Sequence, residues 1–121
     1  MLEKSHDIHE RIYLFVVRVT NLTKSLPKIP QNLILINQIT RSATSMGAND
    51  QEADGTETIK DFLHCYTLVR KEGKETNYWL RLISDTNPTF TRRMKDLMQE
   101  GQEIVKIVST IIIRTKRRKQ I

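Results

Sequence analysis

Apolar residues recur along this chain at alternating spacings of three and four, in four separate stretches. The first comprises Ile8, Ile12, Phe15, Val19, Leu22 and Leu26. The second runs Ile36, Ile39, Ala43, Met46, Asp50 and Ala53, with one polar member. The third is Phe62, Tyr66, Val69, Gly73, Thr76, Leu80 and Ile83, and the fourth is Phe90, Met94, Leu97, Gly101, Ile104, Val108 and Ile111. That spacing draws one seam down each of four helices packed as in a coiled coil, and no stretch alternates as a strand would.

The punctuation agrees with the periodicity. Asp7 with Glu10, and Thr58 with Asp61, read as capping boxes. Pro27 and Pro30 interrupt the chain between the first two helices, because proline lacks the amide donor a helix interior needs. Asp54-Gly55-Thr56 supplies a turn, and Asn87-Pro88 reads as an N-cap followed by proline in the first helical position. The expected helices span roughly 7–26, 31–54, 58–85 and 88–118. Short connections between long helices make neighbours antiparallel, so the expected fold is an all-α, antiparallel, up-down four-helix bundle, one domain over residues 1–121. Gly73 and Gly101 fall on seam positions, where small residues allow close helix approach. Met98, Val105 and Ile112 form a second apolar row on helix four, wide enough for a deep core face or a subunit interface.

Composition narrows the class. Only 4 glycines and 3 prolines in 121 residues leave too few turns for an all-β fold. The single cysteine, Cys65, has no partner for an internal disulfide and suits a reducing cytoplasm. The N-terminus shows no secretory pattern and no apolar run is long enough to span a membrane, so a cytoplasmic location is expected.

Charge changes the picture once it is located. Of 20 Lys and Arg residues, Arg114, Lys116, Arg117, Arg118 and Lys119 crowd into a basic tail at 114–121. Without these five, 15 basic residues face 14 acidic ones, and the net charge of +6 falls to +1. A terminal cationic tract is what a nucleic acid or another polyanion attracts, although cations also suit a helix C-terminus. Arg92, Arg93 and Lys95 add a second cluster near the other end of helix four.

Residues that could carry catalysis are sparse. Asp61-x-x-His64 mimics half of a di-iron bundle site, but such sites need the motif on two helices and a Glu from each of the others. His6-x-x-His9 sits at a terminus, and Cys65 beside His64 cannot form a dyad, because adjacent helical residues point apart. No nucleophile elbow or phosphate-cradling loop occurs, so no metal, cofactor or enzymatic activity is expected. Arg41, Asn49, Glu52, Lys71, Glu72 and Glu75 are expected to form a polar network between helices two and three that fixes their register. Tyr66, Tyr78 and Trp79 read as packing residues rather than stacking platforms, so base-specific recognition is not expected.

Two stretches are more specific. Arg41-Ser42-Ala43-Thr44-Ser45, with Gly47-Ala48-Asn49 and Glu52-Ala53, resembles the 23S rRNA intervening-sequence protein family. So does Asp61-Phe62 followed by Lys71-Glu72, Glu75-Thr76 and Tyr78-Trp79-Leu80; the layout matches from Val16-Val17-Arg18 to the closing Ile-rich basic helix. Tyr78-Trp79-Leu80-Arg81-Leu82 is also similar to a related branch, the accessory proteins of diversity-generating retroelements, which engage a reverse transcriptase and nucleic acid. The longer helix-two match favours the intervening-sequence branch. Gly73 stands where relatives more often carry Ala, and Asp50-Gln51 where an apolar or β-branched pair is commoner. The resemblance implies a left-handed bundle, a ring-like homopentamer and no catalytic residues.

The function expected is a homo-oligomeric, sequence-tolerant RNA- or DNA-binding scaffold. Its phosphate contacts would be Arg114, Lys116, Arg117, Arg118 and Lys119, with Arg92, Arg93 and Lys95. The alternative is an adaptor that docks a protein partner such as a reverse transcriptase.

Overall fold

The computed structural model describes residues 8–119, with side chains to residue 118. Four helices follow one another: α1 (Ile8–Ser25), α2 (Pro30–Asp54), α3 (Ile59–Thr86) and α4 (Thr91–Lys119). A single 3₁₀ turn, Pro88–Phe90, leads into α4. Among the described residues there is no strand, and no helix is long and apolar enough to cross a membrane.

Side-chain pairs fix the topology. His9 near the start of α1 bonds Asp50 near the end of α2, and Asn32 at the start of α2 bonds Asn87 just past α3. Ser84 late in α3 bonds Thr91 at the head of α4, whereas Arg11 early in α1 meets Glu103 farther down α4. Every adjacent pair is therefore antiparallel, in the cyclic order α1–α2–α3–α4.

The four seams converge on one core. Ile12, Phe15, Val19, Ile39, Tyr66 and Ile104 are among its fully enclosed side chains. Each such apolar group contributes about 1.5–3 kcal/mol relative to exposure. Two seams depart from their expected tracks: α2 buries Leu35 and leaves Ile36 half-buried, and α4 buries Ile112, which the spacing had assigned to the flanking row, and leaves Ile111 half-buried. Over a helix as long as α4 the 3.6-residue turn drifts against a seven-residue repeat, so the buried position advances by one.

The helix ends are set by local chemistry. Thr58 Oγ1 accepts from the Asp61 amide at 3.1 Å and caps α3. Asp7, the other expected capping residue, lies outside the described residues. Asn87 does not cap the following turn with its side chain. It is buried instead, where its Nδ2 donates to Asn32 Oδ1 (3.1 Å) and to the Ile83 carbonyl (3.0 Å), while Asn32 Nδ2 donates back to Asn87 Oδ1 (2.9 Å) and to the Pro27 carbonyl. A reciprocal amide pair satisfies more buried donors and acceptors than a cap would. The connections α1–α2 and α3–α4 are thereby pinned together at one end of the bundle.

Two glycines set helix spacing. A methyl at Gly101 would collide with Asn77 Oδ1 and come within 3.0 Å of Phe15 Cζ. Asn77 Nδ2 donates to the Gly101 carbonyl at 3.1 Å, so α3 and α4 touch backbone to side chain there. Its Oδ1 has no polar partner among the described residues and faces the Cα hydrogens of Gly101, a weak contact that only glycine leaves open. At Gly73 a methyl would press on Met46 Sδ and Val105 Cγ2 at 3.0 and 3.1 Å.

Candidate nucleic-acid interface

The cations expected to bind phosphate all lie on α4. Arg114, Lys116, Arg117 and Arg118 are exposed on continuous helix, and the side chain of Lys119 lies outside the described atoms. None of those four makes an ion pair among the described residues. The stretch at 114–119 is thus the last turns of α4, held in place by buried Thr115, whose hydroxyl donates to the Ile111 carbonyl at 2.7 Å. Arg92, Arg93 and Lys95 are also exposed. They sit about 30–35 Å away along the helix at ~1.5 Å per residue, so the two clusters form two sites rather than one. Arg93 is partly engaged: its guanidinium lies 4.8 Å over the Phe90 ring and donates to Ser25 Oγ. It lines a groove of about 250 Å³ between α1 and α4 with Arg18, Asn21 and Ser25.

Half of the expected α2–α3 network forms. Arg41 pairs with Glu72 at 3.3 Å and also with Glu75, which in turn accepts from Trp79 Nε1 at 3.1 Å. Buried Ser42 and Thr76 place their hydroxyls 2.7 Å apart on the same interface. Asn49, Glu52 and Lys71 do not join. Asn49 donates to the Ser45 carbonyl of its own helix, while the exposed side chains of Glu52 and Lys71 make no hydrogen bond or ion pair among the described residues. Asn49 lies two turns along α2 from Arg41 and Glu52 three, so neither reaches the Arg41 cluster.

A second polar centre is absent from the sequence expectations. Asp50, 2% exposed, accepts from Tyr66 Oη at 2.7 Å and from His9 Nδ1 at 2.8 Å, joining three helices. Burial first, and the Asp50 carboxylate second, push the Tyr66 phenol above its usual range. Asp50 stood out as the polar member of an apolar seam, and the tyrosine on the facing seam was the available clue. His6, the other half of the supposed histidine pair, lies outside the described residues.

Arg11 makes the other cluster. Its guanidinium binds Glu100 through two bonds (2.9 and 2.7 Å) and Glu103 through one (2.9 Å), crossing from α1 to α4. These partners hold the Arg11 guanidinium more firmly protonated than usual. The Glu103 carboxyl is drawn below its ordinary value, by Gln99 first and then by Arg11.

Together the two clusters sort the acids. Glu72 and Glu75 turn toward α2, and Glu100 and Glu103 toward α1. Asp96, four residues before Glu100 and seven before Glu103, shares their side of the helix. The outer face of the α3–α4 pair is left to cations. Lys74, Tyr78 and Arg81 of α3 line one groove of about 330 Å³ with Met98 and Gln102 of α4. Lys71 stands on the same side of α3 by helical spacing, and Lys95 and Lys106 on the same side of α4. Tyr78 is not a packing residue as the sequence suggested. It is 58% exposed, with its ring edge-on to half-buried Trp79 at 5.0 Å, whereas Tyr66 is enclosed.

The opposite side of the bundle is different. Between Pro30 and Asn49 the only charge on α2 is Arg41. Leu33 and Ile34 are 50% and 64% exposed there, and Tyr13 of α1 is 63% exposed. Among the described residues no three His, Cys, Asp or Glu side chains gather as a metal site requires. Cys65 is buried, and that burial raises its thiol pKa.

With this geometry in hand, comparison with known proteins gives consistent results. No curated protein matches the chain. A solved protein of unknown function from the S23 ribosomal protein family of Bacteroides thetaiotaomicron VPI-5482 is 32% identical, with a TM-score of 0.80. The match covers 90% of this chain and 97% of that one. Residues 4–110 match the family model of the 23S rRNA-intervening sequence protein. With that match spanning nearly all of the bundle, the chain belongs to the 23S rRNA-intervening sequence protein family.

Proposed function

We propose that this protein is a non-catalytic homo-oligomer of the cytoplasm that binds RNA or DNA through the cationic end of α4. One observation carries the reading: Arg114, Lys116, Arg117 and Arg118 project from the last turns of a continuous helix, exposed and without a carboxylate partner among the described residues. Cations in that state release phosphate counterions on binding, so affinity is sequence-tolerant and falls steeply with salt. The resemblance to ring-forming relatives supports self-association, and the charge-poor stretch of α2 with Leu33 and Ile34 exposed supplies a surface for it. Each added subunit then repeats the cationic end, and avidity compensates for weak single contacts.

A second reading rests on the groove beside that end. Ala53, Ile59, Phe62 and Ile111 give it an apolar floor, with Glu57 and Arg118 at its edge and a volume of about 350 Å³. A phosphate backbone has no use for an apolar floor, whereas a side chain of an adaptor's partner, such as a reverse transcriptase, does.

The test is a fluorescence-anisotropy titration of labelled structured RNA and duplex DNA across a salt series. The protein is compared with a variant carrying Gln at 114, 116, 117 and 118. The expected outcome is a linear fall of log affinity with log salt, with a slope smaller by about 3 in the variant at ~0.7–0.9 per lost phosphate contact. Absence of binding at low salt by the folded oligomer sinks the nucleic-acid reading and leaves the protein partner, which RNase treatment of a cell extract would then fail to release.

A further inference from the structure

We infer that the groove between α3 and α4 binds a single-stranded segment of nucleic acid, with one base stacked on Tyr78 and the flanking phosphates held by Lys74 and Arg81. This rests on the nucleic-acid reading above but names a different site, a different strand state and a different contact.

Tyr78 is the starting point. Most of its surface is in water, and it stands beside half-buried Trp79. Trp79 meets the ring edge-on, and is itself fixed by its Nε1 bond to Glu75, so the phenol is braced without being covered. Lys74 and Arg81 stand four residues before and three after Tyr78, on the same side of α3 and about one turn from the ring in each direction. An aromatic face between two cations is the arrangement that holds a base and the phosphates on either side of it. Cation placement at helical spacing alone would be a solvated face, but here α4 closes the other wall. Met98 gives an apolar surface for the base, and Gln102 an amide for its edge.

Charge complementarity selects the occupant. The acids of α3 and α4 are turned away, Glu72 and Glu75 toward Arg41, Glu100 and Glu103 toward Arg11. Asp85 is the carboxylate that remains near the groove, 4.0 Å from Arg81 at its far end. A second copy of this chain packed face to face on this surface would set its own cations against these, and the charge-poor face of α2 has no acids to offer them. The strand must be single because a duplex keeps its bases stacked on one another, leaving no face for Tyr78.

The experiment uses the full chain and two labelled 20-nucleotide RNAs, one unstructured single strand and one matched duplex, by anisotropy at fixed salt and then across a salt series. Tyr78→Ala is expected to weaken single-strand binding about tenfold and leave duplex binding within about twofold, with the salt slope unchanged. Tyr78→Phe should retain single-strand affinity, because the ring and not the hydroxyl does the stacking. Lys74→Gln with Arg81→Gln should lower the single-strand slope by about 1.4. If Tyr78→Ala binds the single strand like the parent while the 114–118 Gln variant is weakened, the groove inference fails and the nucleic-acid reading stands. If the parent binds neither RNA, both fail. If Tyr78→Ala changes the oligomer mass measured by light scattering while Tyr78→Phe does not, the face is a contact between copies and the inference is overturned.

Discussion

The α1–α2 and α3–α4 sides of the bundle share one core and differ in almost everything outside it. On α2 the exposed positions from Leu33 to Gln51 are mainly Thr, Asn, Ala and aliphatic residues, with Arg41 the one charge among them, and it is directed at α3. On α3 and α4 the exposed positions around the groove are mainly Lys and Arg about one tyrosine, with Gln102 and Asp85 beside them. Both surfaces lie over one shared core, so the difference does not come from the fold. The core dictates which positions are buried; the outward residues are free to vary, and that freedom is where a bundle with no catalytic cleft can hold its specificity.

The contrast can be broken from either side. The largest effect is expected on the α2 side, where Leu33→Asp with Ile34→Asp should convert the proposed oligomer to monomer at micromolar concentration, measured by light scattering. Helicity should be retained, because both side chains are already exposed. An unchanged mass would move the subunit contact elsewhere. Next comes Gly101→Ala, which is expected to lower stability by about 2 kcal/mol in urea unfolding, overpacking against Asn77 and Phe15 outweighing the gain in helix propensity. The loss should fall on the α3–α4 contact that shapes the groove, so single-strand binding should weaken with it.

Arg11→Gln is a smaller change. Loss of the two-bond pair to Glu100 should lower stability by about 1 kcal/mol at neutral pH. The pH dependence has a definite sign. The Glu103 carboxyl is held below its ordinary 4.5 in the folded protein, so its contribution is present above that value and disappears as pH falls through the lower folded value. Arg11→Gln removes one cause of the depression, and its acid-unfolding curve should therefore be shallower below about pH 4.5. The smallest effect sharpens the contrast. Asp85→Asn should change stability by no more than a few tenths of a kcal/mol, since its pair with Arg81 is exposed and 4.0 Å long. It should tighten single-strand RNA binding about twofold by removing the carboxylate nearest the groove.

How legible all this was in the sequence follows from what periodicity records. A seam is a repeated signal, so the four helices, their antiparallel order and most core residues could be read directly. Two slips stand out: Ile36 for Leu35 near the start of α2, and Ile111 for Ile112 where a long helix outruns its repeat. Contacts between helices are single events. Arg41 with Glu72 and Glu75 was readable because all three lie close to the same seam edge. Asn49, Glu52 and Lys71 looked equivalent but sit at other heights or turn outward. Asn87 illustrates a different limit: Asn before Pro is the pattern of a cap, and only the position of Asn32, 55 residues earlier, diverts it into a buried amide pair. Tyr78 was read as packing because it adjoins Trp79. Spacing did contain the answer: Tyr78 lies two residues from the seam positions Thr76 and Leu80, about 200° around the helix and on its outward side.

The gathering of cations on the outer side of α3 and α4 and at the C-terminal end of α4 also makes the charge of the molecule lopsided. In the field of a polyanion such a body feels a torque as well as an attraction. It turns its basic side inward once it comes within about a Debye length, so fewer collisions are wasted on the charge-poor face of α2. The Arg11 and Arg41 clusters, which look like devices for holding helices in register, thereby also set the direction from which the protein arrives.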